Sequence, residues 1–247
     1  MPRSLVLSEH VGPIIGAIRT VPIPVHPREL PEPPPPPPPR PFITISREPG
    51  AGALTFARLL VDELNSSDPG DRPWSCWDGE LVQKVANDLH LSSQLIDSLE
   101  EANHSWFSDF LNSLSFADEG SFADEARIYR RVVATIRALA QAGRVVIVGR
   151  GGVFVTRNMP GGIHLRLIAP LEKRVEFMAA QLHFSRDAAA AYIKQLDKNR
   201  KAFLARYWPK EVMTDETFTL VINSAAVKME TMVDIVKSLV RQVAVGA

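Results

Sequence analysis

The chain of 247 residues is 45% hydrophobic and 23% charged, ordinary globular material with enough apolar side chains for a sizeable core. Its 28 basic and 28 acidic residues cancel, which argues against long nucleic acid or an acidic membrane face as partner but leaves room for a small anion. The single cysteine, Cys76, excludes an internal disulfide framework and a structural zinc site and fits a reducing, cytoplasmic setting. It reads as a small buried hydrophobe at a strand end rather than a nucleophile.

No apolar run reaches the length of a membrane span, and Glu9 and His10 interrupt any signal-peptide core. Residues 1–41 form a Pro-rich tail apart from the folded domain of 42–247. Pro33 to Pro39 are seven consecutive prolines, an extended polyproline II stretch of about 20 Å at about 3.1 Å per residue. A spacer is the plainer reading of this tail; a ligand for a polyproline-binding partner is the other.

Phe42 to Ser46 is a short apolar, β-branched run that reads as a buried strand. Pro49-Gly50-Ala51-Gly52 cannot continue it, and Leu54, Ala57, Leu60, Val61 and Leu64 then recur at helical spacing. Strand, glycine turn and helix start together make a geometry that holds phosphate, because small residues let backbone N–H groups approach and the helix end is partly positive. The segment is a degenerate form of the phosphate loop G-x-x-x-x-G-K-[ST]. Gly52 and Thr55 are read as its last glycine and its hydroxyl, Arg47 stands at the first glycine, and Ala53 replaces the lysine. A tight turn whose glycines serve packing alone is the competing reading.

Trp74 to Trp77 is the next strand, with Asp78 as N-cap of a helix carrying Leu81, Val82, Val85, Ala86 and Leu89. Short helices are expected over Leu91–Glu101 and Trp106–Leu114. Ser121 and Asp124 resemble a capping box ahead of a long helix with an Ile128, Val132, Ile136, Leu139, Ala140 stripe, ended by Gly143. Val145 to Val148 has the signature of a strand covered on both faces. Ile163–Ile168 is a further strand, followed by helices over Leu171–Leu182 and Ser185–Tyr207. A strand at Leu220–Ile222 and a helix through Met232, Val236, Leu239 and Val243 close the chain. Such βα alternation implies a parallel sheet with ligands at the carboxyl ends of its strands.

Those ends carry the polar residues. Ser46, Arg47 and Glu48 follow the first strand, Asp78 the second, and Gly149-Arg150-Gly151-Gly152 the third. An arginine flanked by glycines can bring its fork onto phosphate oxygens; it can also be a plain surface arginine. Asp78 can cap its helix and touch substrate at once. Lys194, Lys198 and Lys201 share one helical face near Arg200 and Arg206, either a solvated surface or a lid that brings cations to a transferring group.

Ile43 to Gly52, Trp77-Asp78-Gly79-Glu80-Leu81, Val148 to Gly152, Leu165 to Val175 and Leu220-Val221-Ile222-Asn223, in this order, resemble the cytidylate kinase-like family. That family is a branch of the P-loop nucleoside monophosphate kinases that commonly lacks the loop lysine. The resemblance covers about residues 42–243. It implies a P-loop NTPase-type three-layer α/β/α fold, with a parallel sheet and a helical lid and monophosphate-binding insertion. It further implies transfer of the γ-phosphoryl group of ATP, with Mg²⁺, to CMP or a similar phosphorylated acceptor. Gly50, Ala51, Gly52, Ala53, Leu54 and Thr55 would form the ATP loop, with Thr55 toward the metal. Asp78 would begin the monophosphate region and Arg150 would hold the acceptor phosphate. Lys198, Arg200 and Lys201 would belong to the lid, whose usual Arg and Asp alternation survives mainly in Asp197. Arg47, Arg150 and Arg200 are the candidates to replace the missing lysine in catalysis. No acid ends the Val145–Val148 strand, so a magnesium-binding carboxylate is not evident there. An ATP-binding scaffold without turnover and an interaction protein acting through its proline tail are the alternatives.

Overall fold

The computed structural model describes residues 40–68, 70–87 and 121–245. The proline stretch and the helices expected at Leu91–Glu101 and Trp106–Leu114 lie outside them. Five strands form one parallel sheet in the order β2-β3-β1-β4-β5: β1 Phe42–Arg47, β2 Ser75–Trp77, β3 Val145–Val148, β4 Gly162–Ile168 and β5 Leu220–Asn223. The helices are α1 Ala53–Ser67, α2 Gly79–Asn87, α3 Ser121–Ala142, α4 Gly152–Thr156, α5 Leu171–Leu182, α6 Arg186–Tyr207 and α7 Met229–Val245.

Alternation along the strands builds three layers. Ile43 and Ile45 of β1, Val146 and Val148 of β3, and Leu165 and Leu167 of β4 pack with Phe56 and Leu60 of α1 and Val236 of α7. Phe42, Val145 and Ile147 face the other way, against Val132 and Ile136 of α3, Phe154 of α4 and Trp208 beyond α6. The run Val145–Val148 is buried throughout, as a strand covered on both faces must be. β1 pairs with β3 on one side and β4 on the other, so the chain reverses its direction of progress beside the β1–β3 edge.

Local signals end the elements where expected. Asp78 Oδ1 accepts from the backbone N–H groups of Glu80 and Leu81, both at 2.9 Å, and so caps α2. Gly143 stops α3 with φ 72° and donates to the carbonyls of Leu139 and Ala140. Three stripes differ from expectation; in α2, Leu81 is exposed and Val82 is buried. Leu54 is exposed while Ala53 and Phe56 are buried, because the turn sets the rotation of α1. Ile128 is likewise exposed, and Tyr129, Val132 and Val133 carry the buried face of α3. Cys76 is half-buried on β2, where burial and then Asp78 push its thiol up to about 11, the behaviour of an inert packing residue. Among the described residues, no helix is long and apolar enough to cross a membrane.

The sheet encloses a titratable side chain. His164 is buried and its Nδ1 lies 2.8 Å from Thr44 Oγ1, with burial holding its pKa at about 4 instead of 6.5. Above pH 6.5 the ring is neutral in both states and costs nothing. As pH falls from about 6.5 to 4 the unfolded chain binds a proton that the fold refuses, so stability declines by about 3 kcal/mol and then levels off. Urea unfolding at pH 8 and pH 4.5 checks this: His164→Gln should lose that much less stability than the wild type between the two pH values. Equal losses would show that His164 is not the titrating group.

Candidate functional site

The carboxyl ends of β1 and β3 meet the start of α1. Glu48 N–H donates to Leu167 O at 3.0 Å as the chain leaves β1, and Ala51 N–H returns to Glu48 O at 3.2 Å to close the turn. Gly52 is the N-cap of α1 in the left-handed region, φ 74°, with no side-chain cap. The intrahelical ladder begins with Phe56 N–H to Gly52 O at 3.0 Å, so the N–H groups of Ala53, Leu54 and Thr55 precede it. Leu54 and Thr55 are exposed. Ala53, where a lysine would stand, is only 5% exposed and packs into the core beside α7. Counted strictly from Gly52, the loop's hydroxyl position falls on Leu54, and Thr55 stands one helical step, about 100°, round from it.

Three arginines from distant segments converge at the carboxyl ends of β1 and β3. Arg47, Arg150 and Arg200 together line an open cleft of about 690 Å³ that also includes Glu80 and Lys84 of α2. They line as well a smaller cavity of about 240 Å³ that reaches Arg166 of β4 and Lys201 of α6. Arg47 lies so close to Gly149 that a Cβ there would fall 1.9 Å from its Nη1, which sets its guanidinium toward β3. Arg200 Nη1 donates to Arg47 O at 2.9 Å. Burial, then the charges of Arg200 and Arg150, hold Arg47 down to about 10, with Asp78 opposing in part. Arg200 is also lowered, first by burial and then by Arg174, while Asp197 and Glu48 act against the shift. Cations are gathered here against their mutual repulsion, a cost that an anion bound among them would offset.

Arg150 is held in an uncommon conformation. It has φ 54°, a strained value for a non-glycine residue, between Gly149 and Gly151. Tyr129 OH donates to its carbonyl at 3.3 Å, Trp208 Nε1 donates to that hydroxyl at 2.8 Å, and Arg150 Nε donates to Gly79 O at 3.3 Å. Tyr129 is buried, which pushes its phenol well above the ordinary value and keeps it a neutral donor. The ring of Phe154 stacks on Trp208 at 5.4 Å, so an aromatic cluster holds the backbone of the turn while Gly79 O holds the guanidinium.

The expected site residues therefore divide. Arg47, Arg150 and Arg200 come together, with Lys201 beside them. Gly50 to Thr55 form the turn and helix start that follow β1, and none of them lines either cavity. Asp78 is engaged as a cap but close enough for its charge to reach Arg47. Lys198 is exposed and does not line either cavity. Lys84, Arg166, Arg174 and the Tyr129–Trp208 pair went unread in the sequence. Arg166 and Arg174 both sat within one quoted motif, Leu165 to Val175, without a role assigned to either. Among the described residues no cluster of three His, Cys, Asp or Glu could hold a metal. Glu48 is occupied: its Oε2 accepts from Ala169 N–H at 3.0 Å and pairs with Arg174 at 3.5 Å.

A stretch of 91 residues is 34% identical to the uronate isomerase of Corynebacterium glutamicum, but that is 37% of this chain and spans only 18% of the relative. An uncharacterized protein from Eubacterium ventriosum has the same fold, with a TM-score of 0.62 at 19% identity over 82% of this chain and 99% of that one. A shikimate kinase from Bacteroides thetaiotaomicron aligns over 81% of this chain and 98% of its own at 16% identity, with a TM-score of 0.40, too distant to bear on the site. Residues 42–226, from the first strand through the loop after the last, match the cytidylate kinase-like family, and the chain belongs to it.

Proposed function

We propose that the protein transfers the γ-phosphoryl group of ATP to CMP or a similar phosphorylated acceptor. The convergence of Arg47, Arg150 and Arg200 at the carboxyl end of β1, which leads through the glycine turn into α1, carries this reading. The turn of Gly50 to Thr55 would take the donor phosphates on backbone N–H groups and the α1 dipole. Arg150 and Arg200, from the turn after β3 and from α6, would take the acceptor phosphate, with Lys84 and Lys201 at its flanks. An acceptor oxygen so placed would attack the γ-phosphorus in line, forming the new O–P bond as the bond to the β-phosphate oxygen breaks and ADP leaves. Little covalent chemistry is asked of the chain; positioning and charge stabilisation do the rest. Arg47, with Arg200 between the two phosphates, would stabilise the charge that develops on the transferring group, in place of the lysine that Ala53 lacks. A Mg²⁺ would be held mainly by ATP's own phosphates and water, with the Thr55 hydroxyl, exposed in the first turn of α1 but a helical step from the loop's usual position, as the chain's candidate contribution. The ion would supply charge neutralisation.

One observation favours a second reading, an ATP-binding protein with little turnover. Position 53 is buried and small, so no loop cation reaches the donor phosphates. An ADP-release assay over a panel of nucleoside monophosphates, with calorimetric ATP binding in parallel, separates the two. Release that needs both ATP and one acceptor supports transfer. ATP binding without release with any acceptor supports the second reading, and no ATP binding overturns both.

A further inference from the structure

Helix α6 crosses the site between two apolar anchors. Ala189 and Ile193 pack on Val175 in a small separate cluster, and Phe203 and Leu204 reach the main core further on. The span between them is held by two charged contacts, Arg200 to Arg47 O and Asp197 to Arg174. Arg174 is 9% exposed, and every contact it makes belongs to the site's frame. Its Nε donates to Ala169 O at 3.0 Å and lies 3.5 Å from Glu48 Oε2. Its Nη1 donates to Pro49 O and to Asp197 Oδ2, both at 3.4 Å. Its carbonyl and Cβ press on the glycine turn so closely that a Cβ on Gly50 would fall 2.6 Å from that carbonyl.

These contacts close a circuit. Arg47 and Glu48 are neighbours in the chain; the carbonyl of the first is held by Arg200 and the carboxylate of the second by Arg174. Asp197 and Arg200 lie three residues apart on one face of α6, so the helix joins the two ends. We infer that Arg174 is a positioning residue that couples the glycine turn to the acceptor arginines, so that loading the turn with donor phosphate sets Arg200 for the acceptor. The fork of a guanidinium suits this task, because one planar group reaches a turn carbonyl and a lid carboxylate together. An ammonium at the same place would keep the charge and lose the bridge. This rests on the proposed donor and acceptor sites, and it adds the link between them.

The link is a coupling, measured as the ratio of CMP dissociation constants without and with a saturating non-hydrolysable ATP analogue. Calorimetry on the full chain should give a ratio of at least fivefold for the wild type. Arg174→Lys and Asp197→Asn should each bring it below twofold. The ratio cancels any change in either affinity alone, so a merely structural loss does not imitate the result. Asp197 is half-exposed, so its variant keeps the test available if Arg174→Lys folds poorly. A wild type that binds both ligands without coupling, or variants that retain the full ratio, would overturn the coupling and leave the proposed function standing. A wild type that binds neither ligand would overturn both.

Discussion

Arg150→Ala is expected to raise the KM for the acceptor roughly 10- to 100-fold, the loss of a charge-assisted pair of about 1.5–3 kcal/mol. ATP affinity should move little. The turn carrying Arg150 follows β3, whereas the phosphate turn follows β1, and Arg150 Nε is anchored on Gly79 O at the start of α2, away from α1. Arg150→Lys should recover only part, because an ammonium cannot make the two-pronged contact. The strained backbone adds a control: Arg150→Gly keeps φ 54° without strain, so its KM should rise as far as that of Arg150→Ala if the guanidinium is the cause. Loss of ATP binding with the acceptor spared would reverse the assignment and make Arg150 the stand-in for the lysine absent at Ala53.

Gly52→Val should weaken ATP binding at least tenfold, roughly 1.4 kcal/mol. A side chain at this position would not stand directly in the phosphate's place. Its Cβ would meet Met229 and Phe177 at 3.7 and 3.8 Å, ordinary contact distances. The damage comes from the backbone. With φ at 74° a β-branched residue is strained, and the turn relieves the strain by moving the N–H groups that should face the oxygens. Gly52→Ala should therefore cost less than Gly52→Val. Calorimetric ATP titration, with thermal midpoints to establish that each variant is folded, decides it. Unchanged affinity in a folded Gly52→Val protein would rule the turn out as the donor site.

Much of the frame is written locally. Val145 to Val148 is a strand in any context because four consecutive apolar β-branched residues need cover on both faces, and the sheet supplies it. Asp78 and Gly143 mark helix ends through hydrogen bonds to residues at most four positions away. The glycine turn before α1 is likewise a matter of adjacent residues, and so is the absence of a lysine at Ala53. Where the reading slipped, neighbours in space outvoted neighbours in sequence: the turn rotated α1 so that Phe56 rather than Leu54 faces the core, and α3 settled on Tyr129 rather than Ile128.

The site itself is a product of strand order. Arg47, Arg150 and Arg200 meet because β3 inserts beside β1 and because α6 returns across their carboxyl ends, and no spacing in the chain specifies that meeting. The basic run of α6 shows the limit plainly. From sequence, Lys198, Arg200 and Lys201 are equivalent cations on one helix; packing sends Lys198 to solvent and turns Arg200 inward onto Arg47 O. Arg174 carries no signal of its own, since its function lies in contacts with Pro49, Ala169 and Asp197 that only the closed fold brings within reach. Sequence determines what depends on short-range periodicity and backbone freedom. The gathering of like charges opposes itself at every distance, so only the tertiary structure, whose apolar layers outweigh that repulsion, could place these arginines together.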